Sequence, residues 1–175
     1  MKTSFILEHI REVKNFPKEG VDFKDITPIL SNPEIYSNVL DFFVEFLKGK
    51  QIDAIVGIES RGFLFGMLLA NTLSIPFVPV RKSGKLPAET ISEEYELEYG
   101  TAKLEIHTDA IKKGWNVVIH DDLLATGGTA VASSKLVERL GGNILSFLFV
   151  VELSFLNGKS SLLDHSKSIK SLIKY

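Results

Sequence analysis

Residues 117–129, Val-Val-Ile-His-Asp-Asp-Leu-Leu-Ala-Thr-Gly-Gly-Thr, gather more chemistry than any other part of the chain. An apolar run ends in two adjacent carboxylates, Asp121 and Asp122. The group Thr126-Gly127-Gly128-Thr129 follows, ahead of a helix-like pattern. Carboxylates accept hydrogen bonds from sugar hydroxyls, each charge-assisted bond contributing about 1.5–3 kcal/mol. Side chains alternate across a strand, so two neighbours share a ligand where the strand is ending, and the spacing predicts that end at Asp121. Two glycines let backbone N–H groups converge, and the N-terminus of the next helix adds its own, which makes an anion cradle. The hydroxyls of Thr126 and Thr129 enlarge it. Each half alone has a plainer reading. An Asp pair is more often a solvated strand end, and Thr126 or Thr129 suits a helix N-cap beside a glycine turn. Joined behind one apolar strand, they read as a site for a phosphorylated sugar at the carboxyl end of a sheet strand.

Two further segments carry candidates. Gly57-Ile58-Glu59-Ser60-Arg61-Gly62 has the glycine spacing of a P-loop, but Phe63 stands where lysine is needed. The same stretch is not G-x-S-x-G, so Ser60 is not read as a nucleophile on an elbow. The motifs G-x-G-x-x-G and H-E-x-x-H are absent from the sequence. Arg61, at a helix start, suits a phosphate or a ring-nitrogen acceptor, and suits a surface position equally well. Arg81, Lys82 and Lys85 make a basic loop after a strand. Alone they read as solvated, and beside a phosphate cradle they suggest a polyphosphate ligand. Glu93, Glu94, Glu96 and Glu98 read as mostly solvated. His120 reads as a packed strand residue, and His9, His107 and His165 show no ligand spacing. Trp115 and the phenylalanines read as core.

The elements that must position these residues follow from periodicity. Phe5, Ile6, Ile10 and Val13 predict an amphipathic helix over residues 3–14. Residues 16–20 break it, 21–27 are extended or irregular, and Asn32-Pro33 opens a second helix whose buried face would hold Tyr36, Val39, Leu40, Phe43 and Leu47. A buried strand is predicted over 54–58, a core helix over 62–73, and a strand over 75–80. Pro76 and Pro79 make that last strand an edge or one with interrupted pairing. Residues 81–104 show no convincing helix and read as a functional lid or a disordered segment, with a return strand possible over 101–106. Lys113-Gly114 is a turn. Strands over 116–121 and 143–153 bracket a helix over 129–140, and a small strand over 168–173 ends the chain. Strands alternating with helices define an α/β domain with a mostly parallel central sheet flanked by helices.

Length and composition agree. The 175 residues are enough for one domain with one substantial core. Net charge is −2, which argues against a general nucleic-acid or membrane-surface binder. There is no cysteine, so disulfides and thiolate metal sites are excluded. The first thirteen residues lack the apolar core of a signal peptide, and no run approaches membrane-spanning length.

The 117–129 segment resembles the phosphoribosyl-pyrophosphate motif of type I phosphoribosyltransferases. The likeness runs from about residue 5 to residue 153, with several motifs in the same order. Residues 16–28, 59–63, 81–87 and 95–100 are similar to the branch of that family that acts on adenine. The resemblance implies that fold, with a small N-terminal hood over residues 1–33 and a mobile loop over 81–104, all in one domain. It implies transfer of a 5-phosphoribosyl group from phosphoribosyl pyrophosphate to adenine, giving AMP and pyrophosphate in purine salvage. It further implies Mg²⁺ held through the pyrophosphate, no metal site of the protein's own, a homodimer, and a cytoplasmic location.

Residue by residue, the resemblance puts the ribose hydroxyls on Asp121 and Asp122 and the 5-phosphate on Ala125, Thr126, Gly127, Gly128 and Thr129. Ser60, Arg81, Lys82 and Lys85 would face the pyrophosphate, some across a dimer interface. Adenine would be read at Asp22, Phe23 and Lys24. Glu98, Tyr99 and Arg61 form the implied catalytic set: Glu98 manages a purine proton, Tyr99 seals the site and Arg61 meets the base. Three positions depart from the family pattern: Lys24 replaces a common Arg, Ala88 a Gly or Arg, and His120 an aliphatic residue. A sister enzyme for a 6-oxopurine or orotate is opposed by the 16–28 segment. A non-enzymatic regulator on the same fold is opposed by the lack of a basic helical domain.

Overall fold

Residues 3–16, 18–96 and 101–175 are described by a computed structural model of the chain. They fall into two compact units, residues 1–48 and 49–175. In the first, α1 (Thr3–Leu7), β1 (Arg11–Val13), β2 (Phe23–Asp25), α2 (Thr27–Leu30) and α3 (Pro33–Leu47) follow in order. The helix expected over 3–14 therefore stops at Leu7. Its apolar spacing is real, since Ile6 and Ile10 are buried. A helix of a dozen residues is marginal alone, however, and cross-strand pairing wins. Arg11 and Glu12 lie opposite Asp25 and Lys24 in an antiparallel pair. Opposite charges meet there, Arg11 to Asp25 at 2.6 Å and Lys24 to Glu12 at 2.5 Å. Burial would raise the Asp25 carboxyl, but bonds from the Thr27 hydroxyl and N–H and from Arg11 outweigh it and hold it at about 2.

Helix α3 starts as expected. The Asn32 side chain accepts from the N–H groups of Glu34 and Ile35, and Pro33 supplies a first-turn residue that needs no partner. Its buried face is Ile35, Val39, Phe43 and Leu47. Ile35 replaces the expected Tyr36 and Leu40, which are half-buried.

The second unit holds β3 (Ala54–Ile58), α4 (Gly62–Leu73), β4 (Phe77–Lys82), β5 (Thr90–Glu96), β6 (Thr101–His107), β7 (Asn116–Leu124), α5 (Gly128–Arg139), β8 (Asn143–Glu152) and β9 (Ile169–Lys174). One seven-stranded sheet runs β5-β6-β4-β3-β7-β8-β9. The five strands from β4 to β9 pair in parallel, and β5 and β6 extend that sheet antiparallel. The mostly parallel sheet flanked by helices is thus as read from the sequence. Alternation divides its faces. Val56, Ile58, Val117, Ile119, Phe147 and Phe149 share one buried cluster with Ala130, Leu136 and Val137 of α5. On the other face α4 lies against β3 and β7, with Gly66 packed on Gly57 and His120. Not every aromatic is core: Phe5, Phe16 and Phe155 are exposed, and Trp115 is half-buried.

The segment 81–104 is the main departure. Of its described residues, 81–82, 90–96 and 101–104 are strand, while 83–89 remain turn and irregular chain. The hairpin pairs Thr90 with His107 through to Glu96 with Thr101. Ile91 and Tyr95 turn onto the core cluster. Glu93, expected to be solvated, takes Lys135 at 2.9 Å and Arg139 at 3.4 Å from α5. The alternation was diluted by glutamates, and their partners lie forty residues away in sequence. Pro79 sits where β4 pairs only with β3, since β6 joins β4 at Arg81 and Lys82 alone. That is the interrupted pairing its missing N–H requires.

Candidate active site

Strand β7 carries the two carboxylates, but it does not end at Asp121; it continues through Leu124. The first carboxylate turns forward along the chain, onto the next peptide group. Asp121 Oδ1 accepts from the Asp122 N–H at 2.9 Å. The same oxygen would lie 2.9 Å from a Cβ placed on Gly62, so the glycine that opens α4 admits the carboxylate. Asp121 and Asp122 share a cleft of about 390 Å³ with Ser60, Arg61, Lys82 and all of Ala125–Thr129. The sheet therefore gathers three sequence segments, 59–61, 82 and 121–129, at the carboxyl ends of β3, β4 and β7. That is the position expected for a ligand in an α/β sheet.

The glycine pair makes the turn that leads into α5. Gly127 takes φ +89°, a conformation that costs other residues a steric penalty, and α5 begins at the next residue. The first turn of a helix leaves its N–H groups without intrahelical partners, and the helix dipole adds partial positive charge.

Arg61 points to Asp122, with Nε 3.1 Å from Oδ2. The Asp122 side chain is nearly fully buried, while that of Arg61 is 40% exposed. Burial raises the Asp122 carboxyl and Arg61 partly offsets it. Asp121 is pushed well above the usual carboxylate range by burial and then by the charge of Asp122. Two neighbouring acids that resist double ionisation are a common mark of a functional site.

Glu59 was not singled out from the sequence, and it organises the opposite wall. Its carboxylate accepts from Arg81 Nε at 3.1 Å, Arg81 Nη2 at 3.3 Å and the Lys82 N–H at 3.0 Å. Burial would raise Glu59, but these donors outweigh it and keep its carboxyl below the ordinary value. Arg81 also donates to the Lys85 carbonyl at 3.1 Å. Arg81 and Lys85 therefore do not line the cleft, whereas Glu59, Lys82 and Tyr95 do. A glutamate between a strand and a serine carried no signal of its own, because its partner lies on the next strand.

Asp22 is exposed and Phe23 half-buried, its ring edge-on to Phe16 at 5.2 Å. Lys24 is buried in its pair with Glu12. Glu98 and Tyr99 lie outside the described residues. His120 is packed, as read from the sequence. It is fully buried against α4, and its Nδ1–H donates to the Leu148 carbonyl at 3.0 Å. Burial pushes it down to about 4, with the Leu148 bond opposing. Among the described residues no group of three or more His, Cys, Asp and Glu is placed to hold a metal ion, and no helix is long and apolar enough to cross a membrane.

Known proteins share this arrangement. Residues 25–174 match the model of the phosphoribosyl transferase domain. The adenine phosphoribosyltransferase of Flavobacterium johnsoniae is 57% identical over 160 residues, covering 91% of this chain and 94% of its own. A crystal structure of adenine phosphoribosyltransferase from Thermoanaerobacter pseudethanolicus superposes with TM-score 0.95 at 53% identity, covering 99% of this chain and 100% of its own. The enzyme from Saccharomyces cerevisiae, solved with an imino-altritol bisphosphate and adenine, superposes with TM-score 0.91 at 45% identity over 97% of each chain. The chain belongs to the phosphoribosyl transferase family.

Proposed function

We propose that this enzyme transfers the 5-phosphoribosyl group of phosphoribosyl pyrophosphate to adenine, forming AMP and pyrophosphate in purine salvage. The observation that carries the reading is the joining of Asp121, Asp122 and the Ala125–Thr129 cradle in one cleft. The identity of 57% to an adenine phosphoribosyltransferase supports adenine as the base.

In this reading Asp121 and Asp122 accept from the ribose hydroxyls, and the backbone of Ala125–Thr129 holds the 5-phosphate. Ser60 and Lys82 face the pyrophosphate. Arg81 and Lys85 shape that wall through Glu59 and the Lys85 carbonyl. Departure of pyrophosphate leaves positive charge on the ribose carbon, which the negative charge carried by the acid pair stabilises. Water would capture that carbon, so the site must close before reaction. Residues 81–104 supply the closing element, Glu98 takes the proton lost from adenine, and Tyr99 completes the seal. Asp22, Phe23 and Lys24 are the proposed base-binding residues, and Arg61 belongs to the proposed catalytic set.

Mg²⁺ is the proposed cation. It would be held mainly through the oxygens of the substrate's pyrophosphate and water, hard donors of the kind Mg²⁺ takes. When bound, it would neutralise the charge of the leaving pyrophosphate. A homodimer is supported by Leu64 and Met67, apolar side chains three residues apart on α4 that are 41% and 53% exposed. A cytoplasmic location suits a substrate too highly charged to cross a bilayer unaided.

The deciding experiment mixes the protein with adenine, phosphoribosyl pyrophosphate and Mg²⁺, with hypoxanthine, guanine and orotate as competitors. AMP formation with adenine preferred is the expected result, and no AMP rejects the reading.

A further inference from the structure

The back of the phosphate cradle is shaped by a segment outside every motif above. After β8 the chain makes two short 3-10 turns, Ser154–Leu156 and Ser160–Leu162. Between them Asn157 takes φ 53°, a left-handed conformation that asparagine tolerates better than most residues. Ser160 fixes this corner: its N–H and Oγ–H both donate to the Asn157 carbonyl, at 3.1 and 2.7 Å. The corner delivers Gly158, which is buried, against Ala125–Gly127.

The approach leaves no room for a side chain. A Cβ on Gly158 would overlap the Ala125 carbonyl oxygen and lie 2.9 Å from the Thr126 carbonyl carbon. Reciprocally, a Cβ on Gly127 would lie 2.7 Å from the Gly158 carbonyl oxygen. Gly158 is not among the glycines of positive φ. Space, not torsional freedom, is what demands glycine here. Ser161 adds a bond from its Oγ–H to the Thr126 carbonyl at 3.3 Å. The loop that would wrap the phosphate is thus backed, carbonyl by carbonyl, by the 158–161 turn.

We propose that Gly158 is a positioning residue for the sugar-phosphate arm of the substrate, its bare Cα setting the depth at which Ala125–Gly127 lie. The proposal rests on the reading of Ala125–Thr129 as the 5-phosphate site. Backbone donors act through their aim, and a hydrogen bond weakens steeply once its angle is lost. A side chain at Gly158 pushes the cradle forward while the carboxylates, held on β7, stay in place. The loss is then one of binding shared by ground and transition states, which raises KM and leaves kcat.

The test uses the full chain with Gly158→Ala and, because that variant could fail to fold, Ser161→Ala. Melting curves establish folding. Calorimetry with ribose 5-phosphate reads the arm directly, and steady-state kinetics give kcat and the KM of each substrate. Gly158→Ala is expected to weaken ribose 5-phosphate and raise the phosphoribosyl pyrophosphate KM about tenfold, with kcat and the adenine KM within about twofold. Ser161→Ala is expected to produce the same pattern at about threefold, the worth of one weak hydrogen bond. A folded Gly158→Ala that binds ribose 5-phosphate like the parent overturns the proposal. So does a loss spread equally over kcat and both KM values, which marks a general structural defect. If Gly158→Ala does not fold, unchanged ribose 5-phosphate affinity in Ser161→Ala overturns it. A parent protein that neither forms AMP nor binds ribose 5-phosphate defeats the functional reading itself, and that result is visible before any variant is made.

Discussion

His120 provides a quantitative test of how the sheet is packed. The imidazole is fully buried between β7 and α4, near Phe65 with ring centroids 6.4 Å apart, and its Nδ1–H is committed to the Leu148 carbonyl. Its pKa falls from 6.5 to about 4, chiefly through burial. In the unfolded chain the ring takes a proton near the ordinary value; in the folded protein it stays neutral until far lower pH. A depressed folded pKa contributes stability that is present above about 6.5 and lost as the pH falls toward about 4. The full loss amounts to about 3 kcal/mol, of which about 2 kcal/mol has gone by about pH 5. The perturbation is His120→Val, which removes the titrating ring. Urea denaturation of parent and variant, followed from about pH 7.5 to about pH 5, isolates the contribution as a difference of differences, because other carboxyls titrate alike in both proteins. The parent should lose about 2 kcal/mol more than the variant over that range. Parallel loss in the two proteins would refute the claim that the ring is held neutral by burial. An unchanged pH–rate profile in the same variant would show that this titration does not reach the active site.

Asp122→Ala should lower kcat/KM for phosphoribosyl pyrophosphate by about a hundredfold or more, since each charge-assisted bond is worth about 1.5–3 kcal/mol. It should not lower the melting temperature, because a carboxylate whose burial is unfavourable has been removed; near-parent activity would show that the ribose lies elsewhere. The acid limb of kcat/KM should fall above the ordinary carboxylate value of 3.8, because burial raises both Asp121 and Asp122. Activity is then lost as pH falls through the raised values, and Arg61→Gln should move that limb to higher pH; a limb that stays put would remove Arg61 from the electrostatics of the pair. Glu59→Gln should raise the KM for pyrophosphate in the reverse reaction about tenfold by loosening Arg81 and the Lys82 backbone from their shared carboxylate. Equal pyrophosphate kinetics in variant and parent would reduce Glu59 to a surface ion pair.

The parallel core of the fold was legible because its strands are short apolar runs and its helices are longer ones. Residues 54–58 and 62–73 match β3 and α4 residue for residue, and Asn32 caps α3 through the side-chain oxygen its residue type suggests. The turn at Gly127 and the start of α5 were legible for the same reason: both are local geometry, decided by residues adjacent in the chain. Elements stabilised by distant partners were not. Arg11–Val13 has helical spacing but becomes a strand because Phe23–Asp25 pairs with it. Residues 90–96 look like a solvated acidic loop until Lys135 and Arg139 meet Glu93.

What the amino-acid order alone determined is therefore the local chemistry: two acids at a strand, two glycines before a helix, and the periodicities that place them in an α/β sheet. Tertiary structure decided which charges are spent on one another and which face the cleft. It set Arg81 on Glu59, Arg61 on Asp122 and Gly158 behind the cradle. Those outcomes depend on distances between residues far apart in the chain, and such distances exist only once the sheet has brought the strand ends together.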